Sequence, residues 1–125
     1  MKGDFYMKIN ESGIILFVEN YEAALEFYTT KLGLTVRRQT TSLTIFNFGN
    51  SYLMIEDRGV ASPVEKTRAQ NPIIIRIDVQ DFDQTVEELL KREVPVKVRR
   101  PEWGTIGIII DPEGNRIEIK EGSTG

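Results

Sequence analysis

The hydrophobic and polar positions of the chain follow the same order twice. An apolar run rich in β-branched residues, Gly13–Val18, precedes a stretch in which apolar residues recur at helical spacing, and the same succession begins again at Ile73–Val79. The two copies align without a gap at an offset of 61 positions, as between residues 18 and 79 and between residues 26 and 87. We therefore expect a duplicated unit that starts with a strand and a helix.

Each helix is expected to begin at a capping residue. Asn20 and Asp81 directly precede the periodic stretches, and their side chains can accept a hydrogen bond from a free N–H of the first turn. The spacing predicts helices over about residues 21–31 and 82–92, and Gly33 is a typical stop for the first helix.

Three more strand-like stretches follow each helix, so each half has the order βαβββ. They cover residues 34–38, 42–48 and 51–56 in the first half and residues 95–99, 104–110 and 116–120 in the second. The predicted fold class is α+β, with a single domain over residues 1–125 made of a module at 8–56, a polar linker at 57–71 and a module at 72–121. A sheet with one helix has one bare face, so two modules are expected to enclose a cleft, within the chain or between chains.

Composition narrows the chemistry. The 125 residues include neither histidine nor cysteine, which excludes disulfides, thiolate nucleophiles and the imidazole that most often serves as a general base or metal ligand. Lys and Arg number 16 and Asp and Glu 19, interspersed along the chain, without the basic footprint of a nucleic-acid-binding protein. No apolar run is long enough to span a bilayer and no leader is evident. We therefore expect a cytoplasmic protein with no nucleic-acid or membrane partner.

Two segments resemble those that mark a known superfamily. The run from Asn20 to Leu34 (NYEAALEFYTTKLGL) and the run from Asp111 to Glu118 (DPEGNRIE) are similar to segments of the glyoxalase/bleomycin-resistance/dioxygenase (vicinal oxygen chelate) superfamily. The resemblance implies paired βαβββ modules with pseudo-twofold symmetry around a U-shaped cleft. It also implies members of several kinds, among them glyoxalase I, extradiol dioxygenases, fosfomycin-resistance thiol transferases and metal-free antibiotic-binding proteins.

The resemblance also implies where a metal would be held. Catalytic members bind one divalent metal through the first and last strands of each module, and the matching positions in this sequence are Gly13, Glu56, Ile74 and Glu118. Glycine and isoleucine donate no side-chain lone pair, and two carboxylates would hold Mg²⁺ or Ca²⁺ only weakly. We therefore expect no cofactor and four vestigial metal positions. Glu118 remains the best catalytic candidate, as a lone general base, and it could equally be a solvated residue or the partner of an arginine.

Strand parity predicts which side chains line the cleft. The predicted ligand-binding residues are Arg76, Glu118, Phe17, Tyr52, Met54 and Trp103. Arg76 interrupts an apolar strand, and two interpretations stay open: an ion pair with Glu118, Glu56 or Asp78, or an anchor for an anionic or carbonyl-bearing ligand. Trp103 could stack on a flat ligand or lie at a rim or dimer interface.

The favoured hypothesis is a metal-free member that binds a small organic molecule, such as an antibiotic or a metabolite, in the cleft. One alternative is a metal-dependent lyase, isomerase or dioxygenase with an atypical site, and another is a module without a ligand. Whether the chain is an enzyme stays open. A homodimer is expected, because exchange of modules across the linker is a low-cost route for a duplicated unit.

Overall fold

The computed structural model describes residues 3–122 and consists of two four-stranded sheets. The first sheet contains the strands β1 (Gly13–Val18), β2 (Val36–Gln39), β3 (Leu43–Phe48) and β4 (Ser51–Asp57), in the order β1-β4-β3-β2. The second contains the strands β5 (Ile75–Val79), β6 (Lys97–Arg99), β7 (Ile106–Ile110) and β8 (Arg116–Glu121), in the matching order β5-β8-β7-β6. The predicted α+β class and the two βαβββ modules are confirmed.

The first strand of each module pairs in parallel with the last one, and the other pairs are antiparallel. Parallel strands need a crossover, which a helix supplies in each module. Helix α1 (Tyr21–Glu26) continues as a π-helical segment over Phe27–Lys31, and helix α2 covers Phe82–Lys91. The first helix therefore has its predicted extent, but its second half is wound more widely than the apolar spacing indicates.

Capping holds both helices as predicted. Oδ1 of Asn20 accepts a hydrogen bond from the N–H of Ala23 at 3.1 Å, and Oδ1 of Asp81 accepts one from the N–H of Gln84 at 3.0 Å. Gly33 has a φ of +75°, a left-handed conformation that glycine adopts readily, and the chain leaves the helix there.

Alternate side chains of the strands point toward the helices and form the core, as strand parity predicts. The buried members from the first and last strands of each module are Leu16, Val18, Leu53, Ile55, Ile75, Ile117 and Ile119. The other side of β1 is open, since Ile15 and Phe17 are 44% and 51% exposed. The strand predicted over residues 73–79 begins only at Ile75.

The linker follows the surface of the second module. Within it, the N–H groups of Ser62 and Lys66 donate hydrogen bonds to the carbonyls of Glu113 and Gly114, in the turn between β7 and β8. Neither helix in residues 3–122 has the length and the apolar character that a bilayer crossing demands.

Candidate functional site

The centre of the second sheet carries a buried carboxylate beside an arginine. Arg76 on β5 and Glu118 on β8 are cross-strand neighbours. Nε and Nη2 of Arg76 both donate to Oε1 of Glu118, at 3.0 and 2.6 Å. The Glu118 side chain is buried, whereas that of Arg76 is 41% exposed. The ion-pair interpretation of Arg76 is confirmed for Glu118, and this pair fixes the position of a guanidinium group that solvent still reaches.

A second arginine binds the other oxygen of the same carboxylate. Nε and Nη2 of Arg116 lie 3.0 Å from Oε2 of Glu118. Oε1 of Glu118 therefore accepts two N–H groups from Arg76, and Oε2 accepts one from Arg116, so both oxygens are already engaged by guanidinium groups. Sequence parity places Arg116 on the cleft side but misses its role, although the alternation Arg-x-Glu on one strand was the available signal.

Trp103 completes this group from the loop before β7. The guanidinium carbon of Arg76 lies 5.1 Å from the centroid of the Trp103 ring, within the range of a cation–π contact. Trp103 remains 56% exposed. The group formed by Arg76, Arg116, Glu118 and Trp103, called here the arginine site, thus offers a fixed cation next to an accessible aromatic surface.

Arg76 also lies at the boundary between the two modules. A cavity of about 240 Å³ is lined by Phe48, Gly49 and Ser51 from the first module and by Arg76, Ile77 and Asp78 from the second. Within residues 3–122, Nη1 of Arg76 makes no hydrogen bond or ion pair. The cavity therefore brings a guanidinium edge, a hydroxyl and apolar surface together at one place.

The predicted ligand-binding residues of the first sheet lie elsewhere. Phe17 lines a separate hollow with the start of the linker, from Gly59 to Ser62. Tyr52 lies beside Arg37, whose guanidinium carbon is 5.8 Å from the ring centroid. Of the six predicted residues, the structure thus brings Arg76, Glu118 and Trp103 together, while Phe17, Tyr52 and Met54 form no part of the cavity at Arg76.

The strand register corrects one of the four positions implied for a metal. Gly13 pairs with Tyr52, and two residues further along, Ile15 pairs with Met54. In the second module Arg76, the counterpart of Ile15, pairs with Glu118. Met54 is therefore the counterpart of Glu118, and the assignment of Glu56 was wrong by two residues. The fourth strand continues to Asp57, and no sequence motif fixes its register in the first module.

The residues at these positions do not fit a divalent metal. They are a glycine, a thioether, an isoleucine and a carboxylate whose oxygens are already bound by arginines, and hard cations prefer free oxygen ligands. Across residues 3–122, no three carboxylates converge on one point. In addition, a Cβ built on Gly13 would overlap the ring of Tyr52, so this aromatic ring fills the space beside the first position.

The motif between β7 and β8 holds the modules together. The hydroxyl of Tyr28, in the first module, donates to Oδ2 of Asp111 at 2.6 Å. The carboxylate of Glu113 accepts the backbone N–H groups of Glu19 and Asn20 at 2.6 and 3.0 Å. All three side chains are buried. Burial, followed by the charges of Asp111 and Glu113, raises the pKa of Tyr28 well above 10. Sequence analysis assigned this motif to the superfamily without predicting these contacts.

Comparison with known proteins identifies the same superfamily. The family model described as Glyoxalase/Bleomycin resistance protein/Dioxygenase superfamily matches residues 10–119. The uncharacterized protein YraH of Bacillus subtilis (strain 168) is 26% identical over 119 residues, covering 85% of this chain and 93% of that protein.

Solved structures share the fold at low sequence identity. A glyoxalase family protein from Bacillus anthracis has a TM-score of 0.76 at 19% identity, covering 97% of this chain and 100% of that one. TnmS3, an antibiotic-binding protein from Streptomyces sp. CB03234, has a TM-score of 0.72 at 19% identity (94% and 100% covered). Lactoylglutathione lyase from Agrobacterium tumefaciens has a TM-score of 0.71 at 24% identity (89% and 92% covered).

Proposed function

Because the chain belongs to the glyoxalase/bleomycin resistance protein/dioxygenase superfamily, we propose that it binds a small organic molecule between its modules without a metal. The same fold is found in an antibiotic-binding protein and in a lyase, so the fold alone does not distinguish binding from catalysis. The residues at the metal positions support binding, since they provide no set of free donors. Binding is the function that this arrangement supports best.

The observation that carries the proposal is the way in which the Arg76 guanidinium is held: two of its nitrogens are bound by Glu118 and the third is not. Its guanidinium is held in place by Glu118 through Nε and Nη2, and Nη1 makes no hydrogen bond within residues 3–122. An immobilised guanidinium binds an oxygen anion at lower entropic cost than a mobile one, because its rotamer is already fixed. We therefore propose that Arg76 donates to an anionic or carbonyl oxygen of the ligand.

The surroundings of Arg76 define the rest of the ligand. Trp103 offers a flat apolar surface on one side, and Phe48 contributes an aromatic ring to the cavity. Asp78 also lines the cavity, and Lys120 is its backbone neighbour on β8. These features favour a compact, planar molecule that carries one carboxylate or carbonyl group. The cavity of about 240 Å³ is smaller than the ~300–1,000 Å³ of drug-sized sites.

The test is a binding titration with the full chain. A panel of aromatic carboxylates, neutral aromatic carbonyl compounds and cationic aromatic antibiotics is followed by the fluorescence of Trp103, the single tryptophan, and by calorimetry. We expect a carboxylate or carbonyl compound to bind, and the variant Arg76→Ala to weaken it by about tenfold or more, the loss of one charge-assisted hydrogen bond.

A matched control is Arg58→Ala, since Arg58 is an exposed arginine of the linker that takes no part in the cavity. It should leave the affinity unchanged. Binding that is equally strong in Arg76→Ala, or no binding by any member of the panel, would contradict the proposal. Metal analysis of the purified chain tests the part of the proposal that concerns the metal. A stoichiometric transition metal would favour the enzymatic alternative.

A further inference from the structure

The linker reaches the arginine site through a series of ion pairs. Glu118 binds Arg76 with one carboxylate oxygen and Arg116 with the other. The remaining guanidinium nitrogen of Arg116, Nη1, lies 3.5 Å from Oε2 of Glu65, which is a residue of the linker. Arg116 therefore bridges two carboxylates, one in the second sheet and one in the linker.

An arginine of the linker itself holds Glu65 in turn. Nη2 of Arg68 lies 3.2 Å from Oε2 of Glu65. The same guanidinium donates to the backbone carbonyls of Lys66, Asn71 and Ile73, at 2.8, 3.2 and 3.4 Å. Ile73 lies two residues before β5, the strand that carries the exposed guanidinium of the arginine site. Arg68 therefore ties Glu65 to the entry of that strand.

The backbone of the linker is fixed on both sides of Glu65. The N–H groups of Ser62 and Lys66 donate to carbonyls of the turn between β7 and β8. In that turn Gly114 has a φ of +89°, and a Cβ built on it would lie 2.7 Å from the carbonyl oxygen of Val64. The linker therefore lies directly against the turn, and the hairpin sets the place from which the Glu65 side chain extends.

Exposure decides what the Glu65 contact does. The side chain of Glu118 is 6% exposed, that of Arg116 26% and that of Glu65 37%. Ion pairs at this level of exposure contribute little to the stability of a fold, because water and salt screen them. The contact does engage the last free nitrogen of the Arg116 guanidinium, since Nε and Nη2 already lie 3.0 Å from Glu118. Its main effect is therefore on the orientation of Arg116.

The charges alternate along the series, which runs through Arg68, Glu65, Arg116, Glu118 and Arg76. Three guanidinium groups face two carboxylates, so the series has a net charge of +1 (3 − 2). Its open end is Nη1 of Arg76, which makes no hydrogen bond within residues 3–122. An anionic group at that nitrogen would pair the one positive charge that the series leaves over.

We propose that Glu65 is a positioning residue of the ligand-binding site: through Arg116 and Glu118 it fixes the rotamer of Arg76. The inference rests on the proposed function, and it adds that the segment between the modules takes part in binding. Loss of the Glu65 contact frees one end of Arg116, so Oε2 of Glu118 is held less firmly. Arg76 then has more rotamer freedom to lose when a ligand binds, which lowers the affinity.

The first experiment needs no ligand. In proton–nitrogen correlation spectra of the full chain, the Nε–H group of each arginine gives a signal, and the signal that disappears in Arg76→Lys belongs to Arg76. We expect a high heteronuclear NOE for this signal in the parent chain and a clear loss of it in Glu65→Ala. Trp103, the single tryptophan, lies 5.1 Å from the Arg76 guanidinium and should change its fluorescence emission in the same variant.

Two further variants separate position from charge and from stability. Arg116→Lys keeps the charge, but a single ammonium cannot replace a planar fork that binds Glu65 and Glu118 through separate nitrogens, so the same NOE should fall. Glu11→Ala is the matched control, because Glu11 is also 37% exposed and pairs with an arginine of the first module, Arg37. It should leave the NOE and the fluorescence unchanged. Urea melts check that every variant is folded.

The second experiment measures the binding of benzoate, an aromatic carboxylate, by calorimetry. Glu65→Ala should raise the dissociation constant by about two- to fivefold, the range of an exposed ion pair, and Glu11→Ala should leave it unchanged. If Glu65 acted only through its negative charge, its removal would instead strengthen the binding of an anion. The direction of the change therefore distinguishes positioning from a simple charge effect.

An Arg76 signal that is the same in Glu65→Ala and in the parent chain overturns the proposal. So does an Arg76 that is already mobile in the parent chain, or benzoate binding that strengthens in Glu65→Ala. If the Arg76 signal responds to Glu65→Ala but no compound of the panel binds, the positioning role stands and the proposed function fails. Binding that depends on Arg76 and not on Glu65 gives the opposite result.

Discussion

The hydroxyl of Tyr28 donates a hydrogen bond of 2.6 Å to Oδ2 of Asp111, and this bond joins the helix of one module to the β-hairpin of the other. Tyr28 and Asp111 are both buried. Oδ1 of Asp111 accepts the N–H groups of Glu113 and Asn115, so the carboxylate orders its own turn while it holds the tyrosine. The module boundary thus depends on polar contacts as well as on apolar packing.

Removing this hydroxyl should lower the stability of the whole chain. Tyr28→Phe leaves the ring in place but takes one partner from a buried carboxylate oxygen, and we expect a loss of about 1–2 kcal/mol in the free energy of unfolding. Asn115 still donates to the same oxygen, which limits the loss. Urea denaturation followed by circular dichroism measures it. Tyr6→Phe, at an exposed tyrosine, is the control and should have no effect.

The same tyrosine should make stability fall at alkaline pH. Burial and the neighbouring charge of Asp111 raise the pKa of Tyr28 well above the ordinary value of 10.0 for a tyrosine. The unfolded chain therefore loses this proton at a lower pH than the folded chain. The contribution of Tyr28 is complete below about pH 10 and decreases as the pH rises above it. An ultraviolet titration of the folded chain should show a tyrosine that ionises well above pH 10, and Tyr28→Phe should lack this step. Identical titration curves for the parent chain and Tyr28→Phe would contradict this.

Replacement of Glu113 by glutamine should destabilise the chain less than replacement by alanine. Its carboxylate accepts the N–H groups of Glu19 and Asn20 directly before α1. In Glu113→Ala both donors lose their acceptor in a partly buried place, and we expect a loss of about 1–2 kcal/mol in the free energy of unfolding. Glu113→Gln retains one acceptor oxygen and should lose less. Thermal and urea melts of the two variants compare them, and equal losses would argue against the assigned hydrogen bonds.

Replacement of Gly13 even by alanine should lower the stability of the chain. A Cβ at this position would overlap the ring of Tyr52, its cross-strand neighbour, so Gly13→Ala must displace the ring or the strand. We expect a cost of about 1–3 kcal/mol, as for other overpacked positions. Gly3→Ala, where the added methyl meets nothing, is the matched control. If Gly13→Ala is as stable as the parent chain, Tyr52 does not occupy this space in solution.

Glu118→Gln distinguishes a structural carboxylate from a catalytic one. If Glu118 positions Arg76 and Arg116, removal of its charge weakens the contacts that fix the Arg76 rotamer. The affinity for an anionic ligand should then fall by a few-fold, as measured by calorimetry. A general base at this position would instead show unchanged binding together with lost turnover of a substrate.

The duplicated architecture could be predicted from the sequence because it depends on local patterns. Alternation along the strands and the caps at Asn20 and Asp81 set the elements, and parity set which faces are buried. The arrangement of Arg76 with Glu118 followed from the same parity. Local patterns of this kind carry no information on how far one strand slides past its neighbour.

The register of β4 against β1 is therefore the feature of the first module that the sequence did not predict. Glu56 and Met54 share a face of β4, so parity could not tell which of them is the counterpart of Glu118. The contacts of Tyr28 and Glu113 were missed for a related reason, since they join residues 83 and 94 positions from their partners. Parity placed Arg116 on the same face as Glu118, but its contact with that carboxylate was not predicted.

The buried acids of the second hairpin have a consequence for the history of the duplication. The matching turn of the first module contains Gly49 and Asn50 in place of Asp111 and Glu113. Within residues 3–122, the buried carboxylates that join the modules come from the second hairpin, so the halves are no longer interchangeable. A chain with its modules in the opposite order would still carry both repeats, but a chain built from two first modules would lack the residues that fasten them.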